Sequence, residues 1–236
     1  MKKKIVLVDC RICEKSVDTL KALGFCVFRM PPFSSLSPSV ESHPDMLTFI
    51  ADGKLITHED YYNENKNLFS KIEEAANISV VTTNEEIGKE YPCDILFNAF
   101  LHDGHIFGRL NAISHCIREF EGKGYTLHNV KQGYAACSCA KAGDGVITAD
   151  KTLYRAFCEC GIDALLIENG DIALPFHDYG FIGGASGYSD GVLYLNGDIE
   201  THRNKDAIKK FVTDKNCASV SLCDGPLVDV GKIVFI

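Results

Sequence analysis

One short pattern recurs four times and constrains the fold more than anything else in the chain. The stretches "IADGKLITH", "LHDGHIFGR", "AGDGVITAD" and "YSDGVLYLN" each place Asp-Gly between two apolar runs. Asp-Gly between alternating apolar residues predicts a two-residue hairpin, because the type I′ turn needs positive φ at both central positions. The turn glycines, Gly53, Gly104, Gly145 and Gly191, succeed one another at intervals of 51, 41 and 46 residues. Recurrence on this scale marks repeated supersecondary units, none of which can bury its apolar face alone.

The segments after each turn recur as well. After Gly53 come "KLITH", a helical stretch over Asn67–Ala76 and "ISVVTT". After Gly104 come "HIFGR", a helix near Ile113–Phe120 and "YTLHNV". After Gly145 come "VITAD", the helix "KTLYRAFCEC" stopped by Gly161, and "DALLIEN"; after Gly191 come "VLYLNGD", the helix "KDAIKKFVTD" and "ASVSL". A glycine just past a helix accepts the left-handed conformation that ends it. Each unit therefore reads strand–turn–strand–helix–strand. A fifth unit is split. The C-terminal "GPLVDVGKIVFI" reads as a hairpin turning at Gly231, and the N-terminal segment adds "IVLVD", a helix from about Arg11 to Leu23 and "FCVFRM". The expectation is a single α/β domain over 1–236, a five-fold propeller of ββαβ units. Its ring closes between the termini, which protects strand edges that would otherwise invite aggregation. The strands "IVLVD" and "KIVFI" compete for one position in that scheme. The Pro- and Ser-rich stretch 31–44 lacks strand or helix period and is read as a loop that folds over the ring mouth.

Charge and cysteine content narrow the function. Net charge is -8 with no basic face, which argues against nucleic acid and anionic membrane as partners. The apolar run Ile5–Val8 meets Asp9 too early for the roughly 7–15-residue core of a secretory signal, so a cytoplasmic protein is expected. Eleven cysteines, an odd number lying mostly in apolar runs, read chiefly as reduced, buried thiols. "CRIC", "CSC" and "CEC" lack the paired spacing of a structural zinc site, and no metal or cofactor is expected. "CRIC" before a helix could place a redox pair, but the later element order is wrong for a thioredoxin-like fold.

With the turns "ADGK", "HDGH", "GDGV" and "SDGV", the opening "HPDM", the segment "FIGGASG" and the closing hairpin, the chain resembles the pentein fold of the guanidino-group-modifying enzymes. These include arginine and agmatine deiminases, dimethylarginine hydrolase and amidinotransferases. The resemblance covers nearly the whole chain and is one of architecture. It implies a site at the ring centre, where carboxylates grip a guanidinium, a cysteine thiolate attacks its carbon and a histidine moves protons. A carboxylate suits the planar cation because it accepts two parallel hydrogen bonds. A nucleophilic cysteine needs positive surroundings that favour its thiolate.

Counting eight residues back from the turn glycines gives Asp45, Leu96, Cys137, Gly183 and Cys223, with an error of one wherever a bulge intervenes. Asp45, in "HPDM", is the natural partner for the cation, and His43 beside it is a candidate acid/base. Cys223 and Cys137 are alternative nucleophiles. Cys223 lies nearest the family's last-unit cysteine, yet Asp229 stands where that cysteine belongs. The third-unit histidine of the family is absent: "YAACSC" puts Cys137 and Cys139 there. His43, His105 or His177 would have to reach in from a loop. Asn98 in "LFNAF" is a ligand contact or a structural hydrogen bond, and Ser186, among close-approach glycines, a candidate ligand donor. Two readings remain: a hydrolase or deiminase acting on a small guanidino-like molecule through a ring-centre cysteine, or a binding protein on the same ring that has lost the family's histidine.

Overall fold

The computed structural model describes residues 4–236. In chain order the elements are β1 (Lys4–Asp9), α1 (Glu14–Ala22), β2 (Phe25–Met30), α2 (Pro44–Leu47), β3 (Thr48–Ala51) and β4 (Lys54–His58). Then come α3 (Glu59–Glu64), α4 (Lys66–Ala76), β5 (Ser79–Thr83), β6 (Phe100–His102), β7 (His105–Gly108), α5 (His115–Arg118) and β8 (Thr126–Asn129). Next are α6 (Ala135–Ser138), β9 (Cys139–Ala142), β10 (Gly145–Thr148), α7 (Lys151–Glu159), β11 (Ala164–Leu166) and β12 (Ile172–Ala173). The chain ends with β13 (Ser186–Ser189), β14 (Val192–Leu195), α8 (Lys205–Asp214), β15 (Ala218–Ser221), β16 (Leu227–Val228) and β17 (Val234–Phe235).

These strands build five three-stranded sheets, β3-β4-β5, β6-β7-β8, β9-β10-β11, β13-β14-β15 and β17-β1-β2, plus the two-stranded β12-β16. In every three-stranded sheet the first pair is antiparallel and the second parallel. A helix makes each parallel crossover, as such a connection requires. The helices form where sequence pattern and caps agree. In α7 the Asp150 carboxylate accepts the Thr152 and Leu153 amides, Leu153 and Phe157 bury one face, and Gly161 at φ 73° comes after the last turn. In α4 the buried stripe is Phe69, Ile72 and Ala76, and Asn77 at φ 54° ends it.

Three of the four predicted turns hold. Asp52-Gly53, Asp103-Gly104 and Asp190-Gly191 have positive φ at both residues, the type I′ pattern. The third turn is shifted. Ala142 pairs with Gly145, so the central residues are Gly143-Asp144, with positive φ at Gly143 alone, the II′ pattern. Gly145 begins the strand instead. A Cβ there would lie 2.7 Å from the Phe211 ring, so packing, not turn geometry, calls for that glycine.

The closing hairpin is not formed. β16 pairs in parallel with β12, and only β17 reaches the split sheet, lying antiparallel to β1. Gly231 and Lys232, at φ 66° and 65°, redirect the chain between the two strands. "KIVFI" and "IVLVD" therefore do not compete: they occupy the first and second places of one sheet, and β2 takes the third.

The middle strand of each sheet alternates its side chains between two core clusters, as period-2 geometry dictates. Ile5 and Leu7 pack with Leu55, while Ile56 packs with Ile106. Phe107 packs with Val146, Ile147 with Leu193 and Leu195, and Tyr194 with Val6 and Val8. Every cluster thus draws on two sheets. No helix among the described residues is long and apolar enough to cross a membrane.

Candidate functional site

Two short helices, α2 and α6, each lead into the first strand of a unit, and they carry Asp45 and Cys137 into the interior. Asp45 is 3% exposed and Cys137 is 3% exposed. The Cys137 thiol donates to Asp45 Oδ2 over 2.8 Å. Asn98 locks the pair: its Oδ1 accepts the Ala136 amide at 2.8 Å, and its Nδ2 donates to Cys137 Sγ at 3.1 Å and to the Asp45 carbonyl at 3.3 Å. These are the bonds that the structural alternative for Asn98 calls for. Asp45 and Cys137 come together although the shifted third turn makes their equal count from the glycines inexact by one residue.

A cavity of about 770 Å³ opens on the sulfur side of this pair. Its wall includes Cys137, His43, Asp94, Tyr134, Phe181 and Asp229. The 31–44 loop supplies Ser37–Val40 to its lining, and the segment from Leu174 to Tyr179 lines it as well. Asp45 stands behind the thiol and is not part of the wall. Cys137 is the cysteine that the cavity exposes among the described residues.

Asp229 is 3% exposed. Its Oδ2 accepts the Phe181 amide at 2.8 Å and its Oδ1 the Gly231 amide at 2.9 Å. Gly184 makes room for it, since a Cβ there would come within 1.9 Å of Asp229 Oδ1. Burial nevertheless dominates and, with Asp45 and Asp9 nearby, pushes its pKa up to about 7. Asp94 accepts the Tyr134 hydroxyl at 2.6 Å through Oδ2, while its buried Oδ1 has no partner; burial raises its pKa too. Tyr134 lies between the rings of Tyr91 and Phe181, at 5.6 and 6.3 Å.

His43 is 1% exposed, and neither ring nitrogen has a hydrogen-bond partner. Its Nε2 lies 3.7 Å from Asp9 Oδ2, whose charge Arg11 already satisfies at 2.6 Å. Burial pulls its pKa down to about 4, so the imidazole is neutral at physiological pH. Gly231 lets it sit there: a Cβ on Gly231 would lie 2.0 Å from His43 Cβ. His177 also lines the cavity, 3.0 Å from Ser39 Oγ, whereas His105 points elsewhere.

Cys223 and Ser186 are not brought to the cavity wall. The Cys223 thiol faces Asn196 Oδ1 at 3.8 Å, and Ser186 Oγ donates to the Gly183 carbonyl at 3.4 Å. The count that selected Cys223 started from Gly231, which is not the turn of a hairpin. One residue was missed altogether. Lys232 sends its Nζ to the carbonyls of Cys139 (2.8 Å) and Ala136 (3.3 Å), beside Asp45 and Cys137. Nothing in the sequence separates this lysine from a surface lysine.

Cys137 has a raised pKa, well above the ordinary thiol value, first from burial and then from the charges of Asp45 and Asp229. Although Lys232 lies nearby, burial and the two carboxylates prevail and the group is a thiol. The arrangement gathers two carboxylates, aromatic rings and a sulfur whose proton points at a third carboxylate around one cavity.

A family model described as "Family of unknown function (DUF6873)" matches residues 7–234. No curated protein matches the sequence. Among solved structures, a dimethylarginine dimethylaminohydrolase adduct with 4-chloro-2-hydroxymethylpyridine superposes with a TM-score of 0.61 at 9% identity, over 100% of both chains. The enzyme of the same abbreviation, DDAH, from Pseudomonas aeruginosa, solved with citrulline, gives 0.58 at 9% identity, over 94% of this chain and 92% of its own. SxtG, an amidinotransferase from Microseira wollei, gives 0.54 at 11% identity, over 87% and 72%. The mixed α/β fold is that of the pentein guanidino-group-modifying enzymes.

Proposed function

We propose that this chain, which belongs to the DUF6873 family, hydrolyses a carbon–nitrogen bond of a small amidinium or guanidinium compound, with Cys137 as nucleophile. The observation that carries this reading is the 2.8 Å thiol–carboxylate contact between Cys137 and Asp45 at the edge of an acidic cavity. The ring that frames it is also part of the proposal. Its support is the cyclic order of the clusters, in which the sheet carrying β1 meets that of β4, then β7, β10, β14 and β1 again. Residues 4–236 act as one domain on this reading.

Asp229 and Asp94 hold the cation against Tyr134. A bound cation offsets the charges that keep Cys137 protonated. The thiol gives its proton to Asp45 as Sγ bonds to the central carbon. Collapse of the tetrahedral adduct breaks one C–N bond, and the proton leaves with the departing amine. Water then attacks the S-linked amidinium and neutral His43 accepts its proton; the S–C bond breaks with its electron pair going to sulfur, and His43 returns the proton to restore the thiol as the urea or amide product leaves.

Chloroacetamidine tests this. It mimics the cation and alkylates an activated thiol. Near neutral pH, selective labelling of Cys137, slowed at least about tenfold by Asp45→Asn, supports the reading. Labelling confined to the exposed Cys13, Cys93 and Cys158 rejects it. A second reading, binding without turnover, is favoured by the raised pKa of Cys137. It predicts that small amidines raise the melting temperature while Cys137 stays unlabelled.

A further inference from the structure

We propose that His105, His128 and Cys160 form a site for one divalent, borderline-soft cation of the zinc type, at the joint between the second and third units. The three side chains come from β7, β8 and the end of α7, and their ligand atoms all lie within 4.8 Å of one another. None of them lines the acidic cavity.

The local fold fixes two of the ligands. β7 and β8 run parallel, with His105 opposite Thr126 and Phe107 opposite His128. His105 and His128 therefore sit on one sheet face, two residues apart in register. The Phe107 ring stacks on His128 at 4.5 Å and 16°, holding its plane. The third ligand arrives by helix docking. Phe157 of α7 packs edge-on to Phe107 at 4.7 Å, and Cys160, one turn further on, reaches the same face.

The donor geometry is close to that of a bound ion. His105 Nδ1 and His128 Nε2 face each other at 2.8 Å, and Cys160 Sγ is 3.8 Å from His128 Nε2 and 3.5 Å from its Nδ1. On a tetrahedral zinc, two imidazole nitrogens lie about 3.3 Å apart and a nitrogen and a thiolate about 3.5 Å apart. Opening the nitrogen pair by about half an ångström and drawing the sulfur in, from within 4.8 Å to about 3.5 Å of both nitrogens, would seat an ion at ordinary bond lengths. Neither imidazole bonds a carboxylate among the described residues. Two nitrogens and one sulfur suit zinc or cobalt rather than magnesium or calcium. All three residues are half-buried, so solvent supplies the fourth ligand. Binding converts the Cys160 thiol to a thiolate, and its proton goes to bulk water. The ion would pin α7 to the preceding sheet. The sequence conceals this site because its ligands lie 23 and 32 residues apart (His105 to His128 to Cys160), with no short motif.

The test uses the full chain, reduced and freed of metal with a chelator. Titration with Co²⁺ should give a saturable, equimolar thiolate-to-cobalt absorption band, displaced by Zn²⁺. Zn²⁺ should raise the melting temperature of the wild type, because it binds the folded state selectively. Cys160→Ser should abolish the band, and His128→Gln should weaken cobalt binding at least about tenfold. Cys158→Ser, on the exposed side of the same helix, should change neither. Circular dichroism checks that each variant is folded, and His105→Gln serves as a second imidazole variant should His128→Gln fail that check. No band in the wild type, or a band that survives Cys160→Ser because other thiols bind the metal, overturns the proposal. So does equal binding by the wild type and the folded imidazole variants, which would leave His105 and His128 as a hydrogen-bonded pair only.

Discussion

Replacing Asp229 by asparagine should make the protein less stable in acid and more stable in mild alkali. Burial lifts this carboxyl from its ordinary 3.8 to about 7. Between those values the unfolded chain is ionised and the folded one keeps its proton. The folded state then binds more protons, so stability falls as pH rises through this window and levels off above about 7. Each pH unit is worth about 1.4 kcal/mol, so the full cost above the window is about 4 kcal/mol. Asparagine carries no such cost. It offers one acceptor oxygen where the amides of Phe181 and Gly231 both point. One amide is left unpaired, at about 1–3 kcal/mol. Asp229→Asn should therefore lose about 2 kcal/mol at pH 4 and gain about 2 kcal/mol at pH 8, with a crossover between. Groups that titrate in the same range without coupling to Asp229, His43 among them, are common to both proteins and cancel in the difference. Urea denaturation under reducing conditions at four pH values measures it. A difference that does not change from pH 4 to 8 would refute a buried Asp229 that keeps its proton.

Three further substitutions probe the supports of the site. Asn98→Ala removes the acceptor of the Ala136 amide and should cost about 2–3 kcal/mol in urea denaturation; a loss below 0.5 kcal/mol, roughly the scale of a neutral surface change, would mean that Asn98 does not hold the pair. Gly231→Ala adds a Cβ 2.0 Å from His43 Cβ at a positive φ, and should lower stability by at least about 3 kcal/mol through overpacking and left-handed strain combined. A melting temperature unchanged in this variant would contradict the close approach of those two residues. Cys223→Ser should leave chloroacetamidine labelling of Cys137 within twofold of the wild type, as mass spectrometry would read it, since Cys223 faces Asn196 outside the cavity.

The repeat was legible because its signals are local. Asp-Gly fixes a turn within four residues, and single glycines are enough to stop the helices. The third turn slipped by one because "AGDG" holds two glycines and either can serve. Packing against Phe211 decided which, and that contact spans 66 residues of sequence, from Gly145 to Phe211. Asp45 and Cys137 were found by counting from the turns, and the pair survived the slip because both short helices point at the same interior. The closing segment failed for the opposite reason. Gly231 looks like a hairpin turn, yet β16 finds its partner in β12, 55 residues earlier from Leu227 to Ile172. Lys232 carried no signal at all, since a buried lysine and an exposed one are the same letter and only their neighbours differ.

The shared clusters have one more consequence. In a solenoid, a middle repeat can be deleted and its neighbours can close ranks, because all interfaces are alike. Here the apolar filling between β4 and β7 differs from that between β10 and β14, and each belongs jointly to both flanking sheets. Excising any one unit would strip two fillings and bring together halves that were never shaped for each other. Each joint is therefore specific to the side chains that fill it.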